Sequence, residues 1–469
     1  MGNAVSVVTI PLKTEKWQED CLDKRFELCR KVYNNMLSYE IKQWQKMTHD
    51  HRYMESKKVI DDTYRISDEK EKKQAKKSDT YKEAAQMQKE LLMEYGFSEF
   101  AFTNKVLEFQ RVYSQNVSST VATRSIAKPM WAAFEKKLFG NGQTVHFKRY
   151  GDFTSIASDG RSGIRMVNDK NRTVLERDGD EKLFVMVSNP GNKKTLKIPL
   201  IIKKNDTYKQ EMLSRKIRVV RITRKMVKGT YRYSVQLTVD GIPAIRFNKE
   251  TGEIKNTVGT GKAGVYIDTE SVTIAKADGT FEVIDLSSGI PDYSKEIAAL
   301  QQYMENSRRI SNPENYNADG TIKKGTVENG RRTKLKWTFS KGYEKAKIRL
   351  SELYRVQKEN RTLQRHRVAN YIISCGDTII INDYPFEYMH RKKAFPEGEE
   401  SKSNGSPKKK KRDTAANIQM NAPALLVTLT EQKLLSRGGQ GVVKVKLKDM
   451  DYSEGYWKYY AKKLLEEAA

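Results

Sequence analysis

Asp268 stands between two short apolar runs, Val265-Tyr266-Ile267 before it and Val272-Thr273-Ile274-Ala275 after it, and the turn Asp278-Gly279 follows. A carboxylate held at the end of an apolar strand can ligate a divalent cation. Two-metal cleavage of a phosphodiester needs several such anionic oxygens, holding ions about 4 Å apart. A second apolar run, Thr378-Ile379-Ile380-Ile381, leads into Asn382 and Asp383. There the first polar group is an amide, a much weaker magnesium ligand than a carboxylate. Glu270, Asp383, Asp449 and Asp451 are the other acids near these runs. Cys21, Cys29 and Cys375 include no pair at zinc-knuckle spacing, and His49, His51, His146, His366 and His390 are scattered, so neither a disulfide framework nor a cysteine-based zinc site is expected. His49 and His51 read as a solvated surface pair.

The elements that must position Asp268 belong to a strongly basic chain. Its 469 residues carry 87 Lys+Arg against 59 Asp+Glu, a formal charge of +28. A field of that sign favours a polyanion, with nucleic acid the leading choice. No run of 18 apolar residues occurs, so no membrane partner is expected, and the chain reads as soluble, cytoplasmic and nucleoid-associated. The length favours about three domains.

Val5 to Ile10 reads as a first strand. From Trp17 to Trp44, Leu22, Phe26, Cys29, Tyr33, Met36, Leu37 and Ile41 recur at spacings of three and four, an amphipathic helix. Asp61 to Lys89 is dense in charge and reads as a solvated helical hairpin, and Phe102 to Phe139 as a further helical segment. After Gly140-Asn141-Gly142 the pattern becomes β-rich: Thr144–Tyr150, Leu183–Val187, Leu196–Ile202, Ile217–Thr223 and Tyr231–Val239 predict an antiparallel barrel or sheet. Lys148, Arg149, Arg215, Lys216, Arg218, Arg221, Arg224, Lys225 and Lys228 line it, and the alternation over Arg218–Ile222 predicts one cationic strand face, suited to backbone phosphates.

Gly259 to Ala263 then links to a region of α/β character, with strands at Val265–Ile267, Val272–Ala275 and Phe281–Ile284 that read as the opening of a ribonuclease-H-like sheet. A helical insertion follows. Its second half alternates cations and aromatics at helical spacing, among them Arg331, Arg332, Lys336, Trp337, Lys345, Lys347 and Arg349, as suits a helix lying along a duplex backbone. Thr378–Ile381 is apolar throughout and therefore central in its sheet.

This order of parts resembles the TnpB family of transposon-encoded RNA-guided nucleases and its descendants, the miniature type V-F CRISPR effectors. The resemblance covers nearly the whole chain in layout. It implies a multi-domain α+β protein: residues 1–14 as the first strand of a wedge β-barrel, 15–140 as a helical recognition domain, 141–258 as the rest of the wedge barrel, and 259–469 as a RuvC (ribonuclease-H-like) α/β domain with a basic helical insertion at about 292–372. Asp268 matches the family's first catalytic motif, although Thr269-Glu270 replaces the usual Leu-Gly. Asn382 stands where the second-motif Glu belongs. The third-motif Asp and the zinc ribbon before it have no counterpart, although Val442–Val445 matches the last strand and Tyr456–Leu465 reads as a final helix.

The implied protein is a nuclease-inactivated, guide-RNA-directed binder of double-stranded DNA that regulates transcription through an R-loop, by repression or by recruiting RNA polymerase or a sigma factor. It needs no cofactor beyond its guide RNA. Two alternatives stay open: an active RNA-guided endonuclease with a divergent metal site, which alone would need magnesium, and a structural RNA-binding protein without a guide. The run Lys408-Lys409-Lys410-Lys411-Arg412 resembles a nuclear-localisation signal, which would place the chain in a nucleus; it also reads as a cationic loop beside the acidic Glu397, Glu399 and Glu400, or as a phosphate contact.

Overall fold

A computed structural model describes residues 4–140, 142, 144–171, 182–188, 195–203, 205–248, 250–328, 331–383, 417–447 and 456–467. The chain forms two units, Met1–Met226 with Tyr231–Ala244, and Val227–Thr230 with Ile245–Ala469.

In the first unit the alternating run at the start becomes β1 (Val5–Pro11), whose residues Val8 and Ile10 are buried while Val5 and Val7 face outward. The three-and-four spacing produces α1 (Lys16–Thr48), opened by a capping box between Glu15 and Gln18. That box satisfies two backbone donors that would otherwise lack partners. The inner face of α1 buries Leu22, Phe26, Cys29, Met36 and Leu37 completely, each large apolar chain contributing about 1.5–3 kcal/mol. The charged hairpin expected at 61–89 is two helices and a short link: α2 (His51–Arg65), α3 (Glu69–Ala75) and α4 (Asp79–Glu94). Then come α5 (Glu99–Arg111), α6 (Ser119–Ala122), a π-helical turn (Thr123–Ala127) and α7 (Lys128–Phe139). Phe102, Met130 and Phe134 pack into the same core as α1.

The β-rich stretch does not close into a barrel. Among the described residues it forms two open sheets. One has the order β1-β7-β6-β2, with β2 at Ser155–Ser158, β6 at Ile217–Val227 and β7 at Thr230–Asp240. The other has the order β3-β4-β5, from Ile164–Val167, Phe184–Val187 and Leu196–Pro199. The strands of the second sheet are four residues long and pair with each other, while β1 and the short β2 end the first sheet at its two edges; a single bridge, Leu12 to Leu200, joins them. No strand forms over Thr144–Tyr150. There the Asn34 side chain of α1 takes the place of a ladder partner, accepting from the Lys148 N–H at 2.9 Å and donating to the Lys148 carbonyl at 2.9 Å. Strands β6 and β7 turn through Lys228 and Gly229, with φ of 49° and 81°, the two positive values a two-residue type I′ hairpin demands. A short helix, α8 (Thr207–Leu213), precedes β6.

The second unit is built on a five-stranded sheet of order β10-β9-β8-β13-β14, from Phe281–Asp285, Ser271–Lys276, Lys262–Ile267, Thr378–Asn382 and Gly441–Val445. β13 runs parallel to both β8 and β14; β9 and β10 are antiparallel. Between β10 and β13 lie α9 (Ser294–Ser311), the minimal hairpin β11 (Val327–Glu328) and β12 (Arg331–Arg332), and the 34-residue α10 (Lys341–Ser374). α11 (Pro423–Leu435) precedes β14, and α12 (Tyr456–Glu467) follows it.

Both faces of β13 are covered, which is why its sequence is apolar without alternation. Ile379 and Ile381 pack with α10 and α11, and Ile380 with Tyr460, Ala461 and Leu464 of α12. That second contact depends on Gly264 in β8, where an added Cβ would lie 2.2 Å from the Ala461 carbonyl oxygen. No described helix is long and apolar enough to cross a membrane.

Candidate metal site and nucleic-acid interface

Asp268 follows β8 directly, in the tight link to β9. Its backbone N–H donates to the Ser271 carbonyl at 2.9 Å, and one carboxylate oxygen accepts the Thr269 N–H at 2.6 Å. Asn421 holds the same link by donating to the Thr269 carbonyl at 2.8 Å, and Asn417 donates to the Glu270 carboxylate.

Asn382, at the end of β13, is buried. Its Oδ1 accepts the Ile267 N–H at 2.8 Å and its Nδ2 donates to the Ile267 carbonyl at 2.9 Å. The amide thus continues the β8–β13 ladder by one step, acting as a surrogate peptide group. A carboxylate could not, because it has no proton for the carbonyl. Asp383 is exposed, its N–H bound to the Val445 carbonyl. Among the described residues no three His, Cys, Asp or Glu side chains converge as a metal site, and Asp449 and Asp451 lie outside those residues. Two divalent ions need several anionic oxygens. One carboxylate beside an amide with both polar atoms already bonded does not fit that pair.

The cations read from the sequence separate into three environments. Lys216, Arg221 and Lys225 are exposed. Arg218 and Arg215 are also toward solvent but pair with Asp240 and Glu211. Arg224 departs from the expectation of a phosphate-facing strand. The strand's true alternation turns Val220, Ile222 and Arg224 inward, so Arg224 is buried, bonded to Asp23 at 2.8 Å and Glu27 at 2.9 Å and sandwiched by the Phe26 and Tyr231 rings. Burial alone would raise Glu27, yet hydrogen bonds from Arg30, Arg224 and the Gly151 N–H bring it below the usual carboxylate range.

On the insertion, Arg332, Lys336, Lys345 and Lys347 are exposed. Arg349 pairs with Glu296 at 2.7 Å and Lys347 approaches Glu344 at 3.8 Å. Trp337 is half-buried, set edge-on to Tyr316 with the Arg308 guanidinium over its face. The side chain of Arg331 and the whole run Lys408 to Arg412 lie outside the described residues.

A further set of cations escaped the sequence reading. Arg361, Arg365 and His366 on α10, Lys433 and Arg437 at the end of α11, and Arg246 act on one another electrostatically. The four-residue spacings 361–365 and 433–437 were the available signal, but nothing in the chain order shows that two helices 60 residues apart bring them together.

No protein-family model matches the chain, and no curated protein matches it. Among solved structures it is similar to a Cas12f1–sgRNA–target DNA complex, at 10% identity and a TM-score of 0.40 over 99% of this chain and 95% of that one. A CRISPR-Cas12f ternary complex gives 10% identity and a TM-score of 0.29 over 92% and 72%. A Cas12i1 R-loop complex before target DNA cleavage gives 9% and 0.27 over 92% and 56%.

Proposed function

We propose that the chain is a guide-RNA-directed DNA-binding protein that has lost metal-dependent cleavage and regulates transcription by holding its target in an R-loop, either blocking RNA polymerase or recruiting it or a sigma factor. Asn382 carries this reading. Where the TnpB-like layout calls for a metal-binding acid, its amide is bonded at both polar atoms to Ile267. The strand order β10-β9-β8-β13-β14, three antiparallel strands and then two parallel ones, supports a ribonuclease-H-like domain whose carboxylate end is occupied by Asp268. The +28 charge supports a nucleic-acid partner.

In this reading base pairing selects the target, and the protein grips backbone and flanking duplex. The test is a matched plasmid with the guide-loaded protein in magnesium or manganese. The plasmid stays intact while guide-dependent binding persists, and Asp268→Ala leaves that binding nearly unchanged. Guide-dependent nicking that disappears in Asp268→Ala would establish an active endonuclease instead. Purified protein free of RNA, monodisperse and stable at low salt would remove the guide from the account.

A further inference from the structure

Lys433 and Arg437 lie at the end of α11 that leads into β14, and Arg246 and Asn256 precede β8. These parallel strands begin on that side, whereas Asp268 lies beyond the far end of β8, a strand length of roughly 20 Å away. The region is fastened by its own cations. Lys433 donates from Nζ to the His366 carbonyl at 3.1 Å and to the Asn370 side chain, tying α11 to α10. Arg437 donates to the Asn256 carbonyl at 2.7 Å.

Two turns earlier on α10, Arg355 shows how the same helix treats a cation elsewhere: it is clasped by Glu352 and Glu359. Among the described residues no carboxylate forms an ion pair with Arg361, Arg365, Lys433 or Arg437. Burial, with repulsion from Arg437 and Arg246, lowers Lys433 to about 8. Burial also lowers Arg365, with repulsion from Arg361 adding to it. The negative end of α11 rewards a cation at Lys433 or Arg437. It does not explain why Arg365 and Arg361 approach the same place.

We infer that Arg361, Arg365, Lys433 and Arg437, with Arg246, form a phosphate-binding site, remote from the Asp268 end of the sheet, that takes either a nucleic-acid backbone phosphate or a free polyphosphate. Like charges gathered without acids oppose folding, and an anion among them relieves the repulsion while accepting several charge-assisted hydrogen bonds. The inference does not need a guide RNA, so it stands or falls apart from the function proposed above.

The test uses the full chain, with inorganic pyrophosphate, a random-sequence RNA and a DNA duplex as separate probes. Arg365→Gln combined with Lys433→Met should weaken at least one probe about tenfold, as expected for losing one or two charge-assisted contacts. The same variant without ligand should melt at a higher temperature than wild type. Lys433→Arg, which keeps the charge, should retain binding. Loss confined to the two nucleic acids assigns the site to a backbone phosphate, and loss for pyrophosphate as well shows that it also accepts free polyphosphate. Unchanged affinity for all three probes overturns the inference. So does a Lys433→Arg loss as large as that of Lys433→Met, which would make the effect one of packing.

Discussion

Arg224 in the first unit and the Arg365–Lys433 cluster in the second are both partly or fully withdrawn from water, and they have opposite surroundings. Arg224 meets two carboxylates and two aromatic faces. The cluster meets other cations. A charge count treats these residues alike, but one group is already neutralised inside the fold and the other retains its capacity for an external anion. In a basic chain, what can bind a polyanion is therefore decided by where the acids are placed.

The sharpest way to break that contrast is to remove one cation from each place. Arg224→Met would leave Asp23 and Glu27 without their partner and should cost about 3–5 kcal/mol, read as a lower denaturant midpoint with an unchanged slope. Arg365→Gln should leave stability equal or higher. A similar loss at both sites would end the distinction.

Asn382 extends the comparison to a buried group that looks catalytic in sequence and is structural in place. Asn382→Asp removes the donor to the Ile267 carbonyl and adds a charge beside buried backbone, at a cost of about 2–4 kcal/mol. Neither it nor Asn382→Glu should produce cleavage. A variant as stable as wild type that cuts DNA in magnesium would reverse the assignment of Asn382 as a ladder residue.

Glu40 on α1 is a third buried charge-bearing group. Burial, only partly offset by Lys105, raises it to about 8, and its Oε2 has no hydrogen-bond partner. It is protonated in the fold and ionised in the unfolded chain between its ordinary value of 4.5 and about 8. The folded state thus holds the extra proton, and stability must fall as pH rises through that window, by an amount on the order of a few kcal/mol. Glu40→Gln should flatten this part of the stability profile and stabilise the protein most at the alkaline end.

These cases show where the sequence was legible. Local periodicity located α1, the strands flanking Asp268, the apolar β13 and the helix α12, because each is set by neighbours three, four or two residues away. The barrel failed for a non-local reason. Whether strands close depends on edge pairing, and here β3, β4 and β5 pair among themselves. Thr144–Tyr150 has strand-like composition, but Asn34 from a distant helix satisfies its backbone. The inward turn of Arg224 was readable in principle, since Val220 and Ile222 share its parity, but its acids come from α1, about 200 residues earlier. Asp268 and Asn382 were identifiable by type and order, whereas the bonds that make Asn382 a surrogate peptide required the folded register.

The smallest expected effect lies on the insertion, where paired and unpaired cations share one helix. Lys345 of α10 is exposed and no described carboxylate pairs with it; Arg349, one turn on, is bound to Glu296. If both follow phosphates, each should contribute a counterion-release slope of about 0.9 per contact in the logarithm of affinity against salt. Arg349, however, must first give up Glu296, so its net share is smaller. Lys345→Gln should therefore reduce the slope by close to one, and Arg349→Gln by distinctly less. Glu296→Gln, which releases Arg349, should strengthen nucleic-acid binding slightly at low salt. Equal slopes for the two variants, with no response to Glu296→Gln, would show that an intramolecular acid does not discount a surface cation here, and would confine the contrast drawn from Arg224 to buried sites.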